Sequence, residues 1–154
     1  MTPDEALDRL LALDAELRLE AYYGERSVFY NPGGAAPLGV IFASVKEDDG
    51  PNDKAARLSR PGVWRLAFAM APDAFAGRFG RMPARPAKGH AVALPEWDLT
   101  RLDALTPHPV YAWMGWVQIL SPCPASFDAL QPLLARSLDR VRARWHHRGR
   151  DATH

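Results

Sequence analysis

The chain has 154 residues, of which 47% are hydrophobic and 24% charged, ordinary values for one soluble globular domain. A domain of this size buries roughly 70% of the surface its unfolded chain exposes, so it can build a full core. The net charge of +1 excludes a strong overall field toward polyanions or membranes, and the single Cys excludes an intramolecular disulfide and a CxxC metal or redox pair.

The charge is unevenly distributed. Residues 1–59 carry 11 acidic and 6 basic side chains, residues 60–154 carry 7 and 13, and six arginines lie between Arg136 and Arg150. The acidic start MTPDEALDRL lacks the basic flank and apolar core of a signal peptide, and no apolar run reaches the ~20 residues of a membrane span. A cytoplasmic protein is expected.

Thr2 and Glu5 form a T-x-x-E capping box with Pro3 at the first helical position, and Ala6, Leu10, Leu13 and Leu17 continue an apolar stripe at helical spacing. The period changes to two from Leu17 to Tyr23, which predicts a strand with one wet face, and Gly24 turns the chain into a second strand, SVFY. LGVIFASV (38–45) reads as a buried strand. After the acidic loop KEDDGPNDK, GVWRLAFAM (62–70) reads as a fourth, with Trp64, Leu66, Phe68 and Met70 on one face and Val63, Arg65, Ala67 and Ala69 on the other. PDAFAGRFG predicts a short helix stopped by Gly80. Residues 81–107 are Pro-rich, with one helical turn expected in LTRLDAL. WVQIL is the fifth strand, and Phe127, Leu130, Leu134, Leu138, Val141 and Trp145 mark a last amphipathic helix in which Pro132 kinks or starts the regular part.

These elements predict a single α+β domain over 1–145, a mainly antiparallel sheet of about five strands carrying helices from both chain ends, with 146–154 a basic, disordered tail. Trp64, Phe68, Phe42, Trp116, Leu134 and Leu138 are expected in the core.

No phosphate loop, zinc-protease helix, nucleophile elbow or EF-hand loop occurs, so neither catalytic residues nor a cofactor are assigned. Asp48, Asp49 and Asp53 read as a hydrated acidic turn more readily than a cation loop, and Cys123 as a structural thiol. Arg60 precedes a Pro-Gly turn, and Arg65 projects over small side chains, where it can meet a planar anion or a carboxylate of the chain itself. His108, Tyr111 and Trp113, in the run HPVYAWMGW, are the other candidate ligand-binding residues: His108 as a charge switchable near neutral pH, the two rings as an apolar wall. Arg136, Arg140 and Arg144, spaced by four, form the candidate nucleic-acid surface.

FY at 29–30, FASV at 42–45, LSRPGVWRL at 58–66, FAGRFG at 75–80, HPVYAWMGWV at 108–117, then LSP, Phe127 and PLL at 132–134 resemble a bacterial family of domains of unknown function. That family is distantly similar to YjbR/MmcQ-like proteins with a CyaY-like fold. The resemblance implies a fold and no catalytic residues. The YjbR-like shape implies DNA binding by analogy only, and a CyaY-like acidic ridge would here be short, Asp4, Glu5 and Asp8 interrupted by Arg9. Two functions follow. One is a non-catalytic binding domain, monomeric or homodimeric, for an anionic ligand, a nucleic acid or a protein. The other is an enzyme or ligand-binding protein with a pocket near His108 and Arg65.

Overall fold

A computed structural model describes residues 1–151, with side chains through Gly149. Its elements run α1 (Pro3–Leu11), β1 (Leu17–Tyr22), β2 (Glu25–Tyr30), β3 (Val40–Lys46), β4 (Arg65–Ala69), α2 (Pro72–Phe79), β5 (Leu105–Pro107), β6 (Trp116–Leu120), α3 (Pro124–Ala129) and α4 (Gln131–Asp151). The strands form one antiparallel sheet in the order β1-β2-β3-β4-β6-β5. The chain is α+β, as its pattern of periods predicts.

The capping box forms: Glu5 N–H donates to Thr2 Oγ1 at 3.1 Å and Thr2 N–H to Glu5 Oε2 at 3.4 Å. It aims Ala6, Leu7 and Leu10 at the sheet. Pro132 is the second residue of α4, where its missing N–H costs nothing, so it starts the helix after the break at Leu130. Leu134, Leu138 and Val141 then pack on the face that also carries Val28, Val45, Leu66, Phe68, Val117 and Ile119.

Three expectations are corrected. LTRLDAL forms no helical turn; it leads into β5, a sixth strand of three residues hidden from pattern reading by its brevity and by Pro107. Helix α4 continues to Asp151, through most of the segment read as a disordered tail, while residues 152–154 lie outside the described ones. Trp116 is half-buried, not a core residue, because it opens β6 on the face opposite Val117 and Ile119, in register with Ala69, where it borders an open cleft. Trp64, Phe68, Phe42, Leu134 and Leu138 are buried as expected.

That second face is unlike the first. One cross-strand row reads Ser27, Ser44, Ala67, Gln118, Thr106, and the next row pairs Lys46 with Arg65. Ser27, Ser44, Arg65, Gln118 and Thr106 are all buried. The sheet thus has an apolar face under helices and a polar face under loops.

Candidate functional site

The polar face is organised around Arg65, which is 1% exposed. Its guanidinium grips Asp53 with two bonds, Nη1 to Oδ1 at 2.9 Å and Nη2 to Oδ2 at 2.5 Å, and reaches Glu25 Oε1 at 3.2 Å. Lys46 Nζ lies 3.9 Å from Asp53 Oδ2. Burial opposes the Arg65 charge, but the bonds to Asp53 and the fields of Asp53 and Glu25 outweigh it and raise the pKa further. Two cations and two carboxylates therefore balance in a buried cluster. Breaking such a pair by removing one partner typically costs about 3–5 kcal/mol, since the remaining charge is left without compensation. The acidic loop owes its composition to this and to Asp49, whose Oδ1 accepts Leu58 N–H at 2.8 Å.

Beside this cluster lies His108, 1% exposed. Its Nδ1 accepts Val110 N–H at 3.0 Å and Tyr111 N–H at 3.1 Å, so the imidazole closes the turn that leads to a 3-10 turn at Ala112–Met114. Burial first, then the positive fields of Arg65 and Lys46, hold its pKa well below 6.5. His108 is neutral near pH 7 and is not the switchable charge that its sequence position implies. With Nδ1 committed as acceptor, the ring proton resides on Nε2. The ring is then a hydrogen-bond donor and not a general base.

Between these residues and the β1–β2 hairpin opens a cleft of about 210 Å³, lined by Tyr22, Tyr23, Glu25, Ile41, Ser44, His108, Tyr111, Met114, Trp116 and Arg144. Tyr111 and Trp116 stand at 6.4 Å between ring centroids and His108 and Tyr111 at 5.1 Å, forming one wall. Tyr22 and Tyr23, edge to face at 4.5 Å, form the other. Burial, then the fields of Glu25 and Asp53, raise the Tyr111 pKa, so its hydroxyl stays protonated. Arg144, exposed on α4, stands at the mouth. Three buried polar atoms on this side, Ser27 Oγ, Arg65 Nε and Gln118 Oε1, find no hydrogen-bond partner among the described residues.

The candidates from the sequence therefore separate. His108 and Tyr111 line the cleft, and Arg65 lies beneath it, on the same side of the sheet. Arg65 does not line the cleft; its charge is paired with Asp53 and Glu25. Trp113 is absent from the wall. In the 3-10 turn side chains three apart align, so Tyr111 and Met114 share the cleft side while Trp113 turns to the core, with Arg85 4.7 Å over its ring. Arg60 binds the carbonyls of Arg57, Ala56 and Thr100, tying two loops together. Arg136 pairs with Asp73 at 2.8 Å, and Arg140 donates to the Met70 carbonyl at 3.0 Å. Of the three spaced arginines, Arg144 alone borders this cleft. Tyr22, Glu25 and Ser44 reach His108 only through strand register, and Trp116, expected in the core, joins the wall.

Among the described residues, no cluster of three or more His, Cys, Asp or Glu side chains is arranged to hold a metal, and no helix is long and apolar enough to cross a membrane. A family model described as a family of unknown function, DUF6194, matches residues 1–150. No curated protein and no solved structure matches the chain, and the similarity to YjbR/MmcQ-like proteins is not supported.

Proposed function

We propose that this chain, which belongs to that family, DUF6194, is a non-catalytic binding domain for a flat, largely apolar small molecule bearing an anionic group. The observation that carries this reading is the cleft: aromatic walls on two sides, with His108, Ser44 and Glu25 as converging polar groups and one arginine at the entrance. Small-molecule sites have this composition, mostly apolar with a few placed polar groups. The flat body stacks between Tyr111 and Trp116 on one side and Tyr22 on the other. The neutral Nε2–H of His108 donates to an acceptor on the ring, and Arg144 receives the carboxylate or phosphate.

Binding is favoured over catalysis because the one histidine of the cleft holds Nδ1 in two backbone hydrogen bonds and resists protonation. A general base or acid needs to exchange its proton near the working pH.

Thermal-shift screening with aromatic carboxylates and aryl phosphates tests the proposal. A ligand of this class is expected to raise the melting temperature of the parent and to do so much less for Arg144→Ala and Tyr111→Ala. Both positions are exposed and outside the buried charge cluster, so both variants should fold. Stabilisation undiminished in both variants would refute the cleft as the binding site.

A further inference from the structure

We propose that β1 is the pairing edge of a symmetric dimer, in which a second copy of the chain adds its own β1 antiparallel across a two-fold axis at Leu19. This rests on the sheet edge and is independent of the ligand reading of the cleft.

The two edges of the sheet differ. β5 is three residues long and ends in Pro107, whereas β1 offers six residues without proline, paired with β2 in unbroken register. An exposed edge of this kind presents unpaired backbone groups to another strand. The phase of those groups follows from the hairpin. Tyr23 and Gly24, both at positive φ, make a two-residue turn closed by the pair Tyr22–Glu25. Such a turn closes on a hydrogen-bonded pair, so Tyr22, Glu20 and Arg18 direct their backbone groups to β2. Leu17, Leu19 and Ala21 direct theirs outward. The bond from Asn31 N–H to the Glu16 carbonyl continues the same alternation. Leu17 N–H is taken by the Asp14 carbonyl, and among the described residues the Leu17 carbonyl and both backbone groups of Leu19 and Ala21 have no backbone partner, so they can meet a second strand.

Charge then selects the register. With the axis at Leu19, Arg18 of each copy stands opposite Glu20 of the other in a non-hydrogen-bonded pair, where side chains approach most closely. Leu19 N–H and C=O are exchanged between copies, and Ala21 N–H of each donates to the Leu17 carbonyl of the other. An axis at residue 18 sets Arg18 against itself and Glu20 against Glu16. An axis at residue 20 sets Glu20 against itself. Like charges directly opposite destabilise a strand pair, so this strand is self-complementary in one register and repelled from its neighbours. Apolar exposure agrees: Leu19, at the proposed axis, is 42% exposed.

Sedimentation velocity over a concentration series tests this. The parent is expected to reach twice the 17.1 kDa chain mass. Arg18→Glu alone and Glu20→Arg alone should each remain monomeric, having lost the opposed unlike charges. Mixing those two variants sets acidic residues at 18 and 20 of one edge against arginines at 20 and 18 of the other, and a heterodimer of twice the chain mass should return, which also reports that both are folded. A parent that stays at monomer mass to its solubility limit overturns the proposal. So do single variants that dimerise like the parent, or a mixture that does not associate.

Discussion

At the level of single residues, the polar face of the sheet turns on how charge is neutralised. Arg65 carries a charge that nothing outside the protein needs to balance, because Asp53 and Glu25 already do so. His108 has no such partner; its nearest strong fields are positive, and it folds uncharged. This has a consequence for pH. In the unfolded chain its pKa returns to near 6.5, so below that value the unfolded state takes up a proton which the folded state refuses. Stability therefore falls as pH drops from 6.5 toward the lower folded-state pKa, by up to ~1.4 kcal/mol per pH unit. Asp14, Asp98 and Asp103, whose pKa values are lowered chiefly by hydrogen bonds to Glu16, Thr100 and Cys123, contribute in the same direction only below their ordinary value of 3.8. Between pH 6.5 and 5 the lowered His108 pKa therefore acts apart from those three carboxylates. Denaturant titrations across this range should show a decline in the parent that is much reduced in His108→Asn, whose side-chain oxygen can accept the same turn N–H groups.

At the level of elements, the strands and helices with clear periods were legible and the connections between them were not. Alternation placed Arg65 and the alanines on one face of β4, and helical spacing found α1 and α4. The partners of Arg65 and His108 lie on other strands and loops, so Glu25, Ser44 and Tyr22 join the cleft through register alone, a nonlocal quantity. The β2–β3 connection illustrates the difference. Gly39 adopts φ 97°, and a Cβ there would collide with the Tyr30 carbonyl oxygen and meet Asn31 Cβ at 2.9 Å. Asn31 cannot yield, since its side chain closes the loop through both Ala36 N–H at 3.0 Å and the Ala36 carbonyl at 2.8 Å. Gly39→Ala should cost at least about 2 kcal/mol, from left-handed strain together with the collision. Gly77, in α2 with open space around it, provides the opposite sign: Gly77→Ala should gain up to about 1 kcal/mol. Thermal denaturation of the two variants reads the contrast directly.

At the level of the whole molecule, much of the uneven charge of the sequence is paired within the chain. Six arginines near the C-terminus invite a phosphate-binding reading, yet α4 uses Arg136, Arg140 and Arg142 to fasten the chain. Arg142 donates to Asp14 at 2.6 Å from Nη2 and 3.0 Å from Nε, joining the last helix to the segment after α1. Arg136 holds Asp73 at the start of α2, and Arg140 holds the Met70 carbonyl ahead of it. Arg9 of α1 reaches Asp128 of α3 at 2.9 Å. These contacts cross long stretches of sequence and bind both chain ends to one face of the sheet. An arginine already paired must give up its partner to bind a phosphate, so Arg136 and Arg140 are poor counterion-release sites and Arg144 alone of the spaced set keeps its charge for a ligand. Binding to duplex DNA is therefore expected to be weak even at low salt, with a shallow slope of affinity against salt. Arg142→Ala should lower the unfolding temperature while leaving that residual DNA affinity nearly unchanged. Tight binding with a steep salt slope, lost in Arg136→Ala and Arg140→Ala variants of parental stability, would show instead that the helix exchanges its internal partners for phosphate.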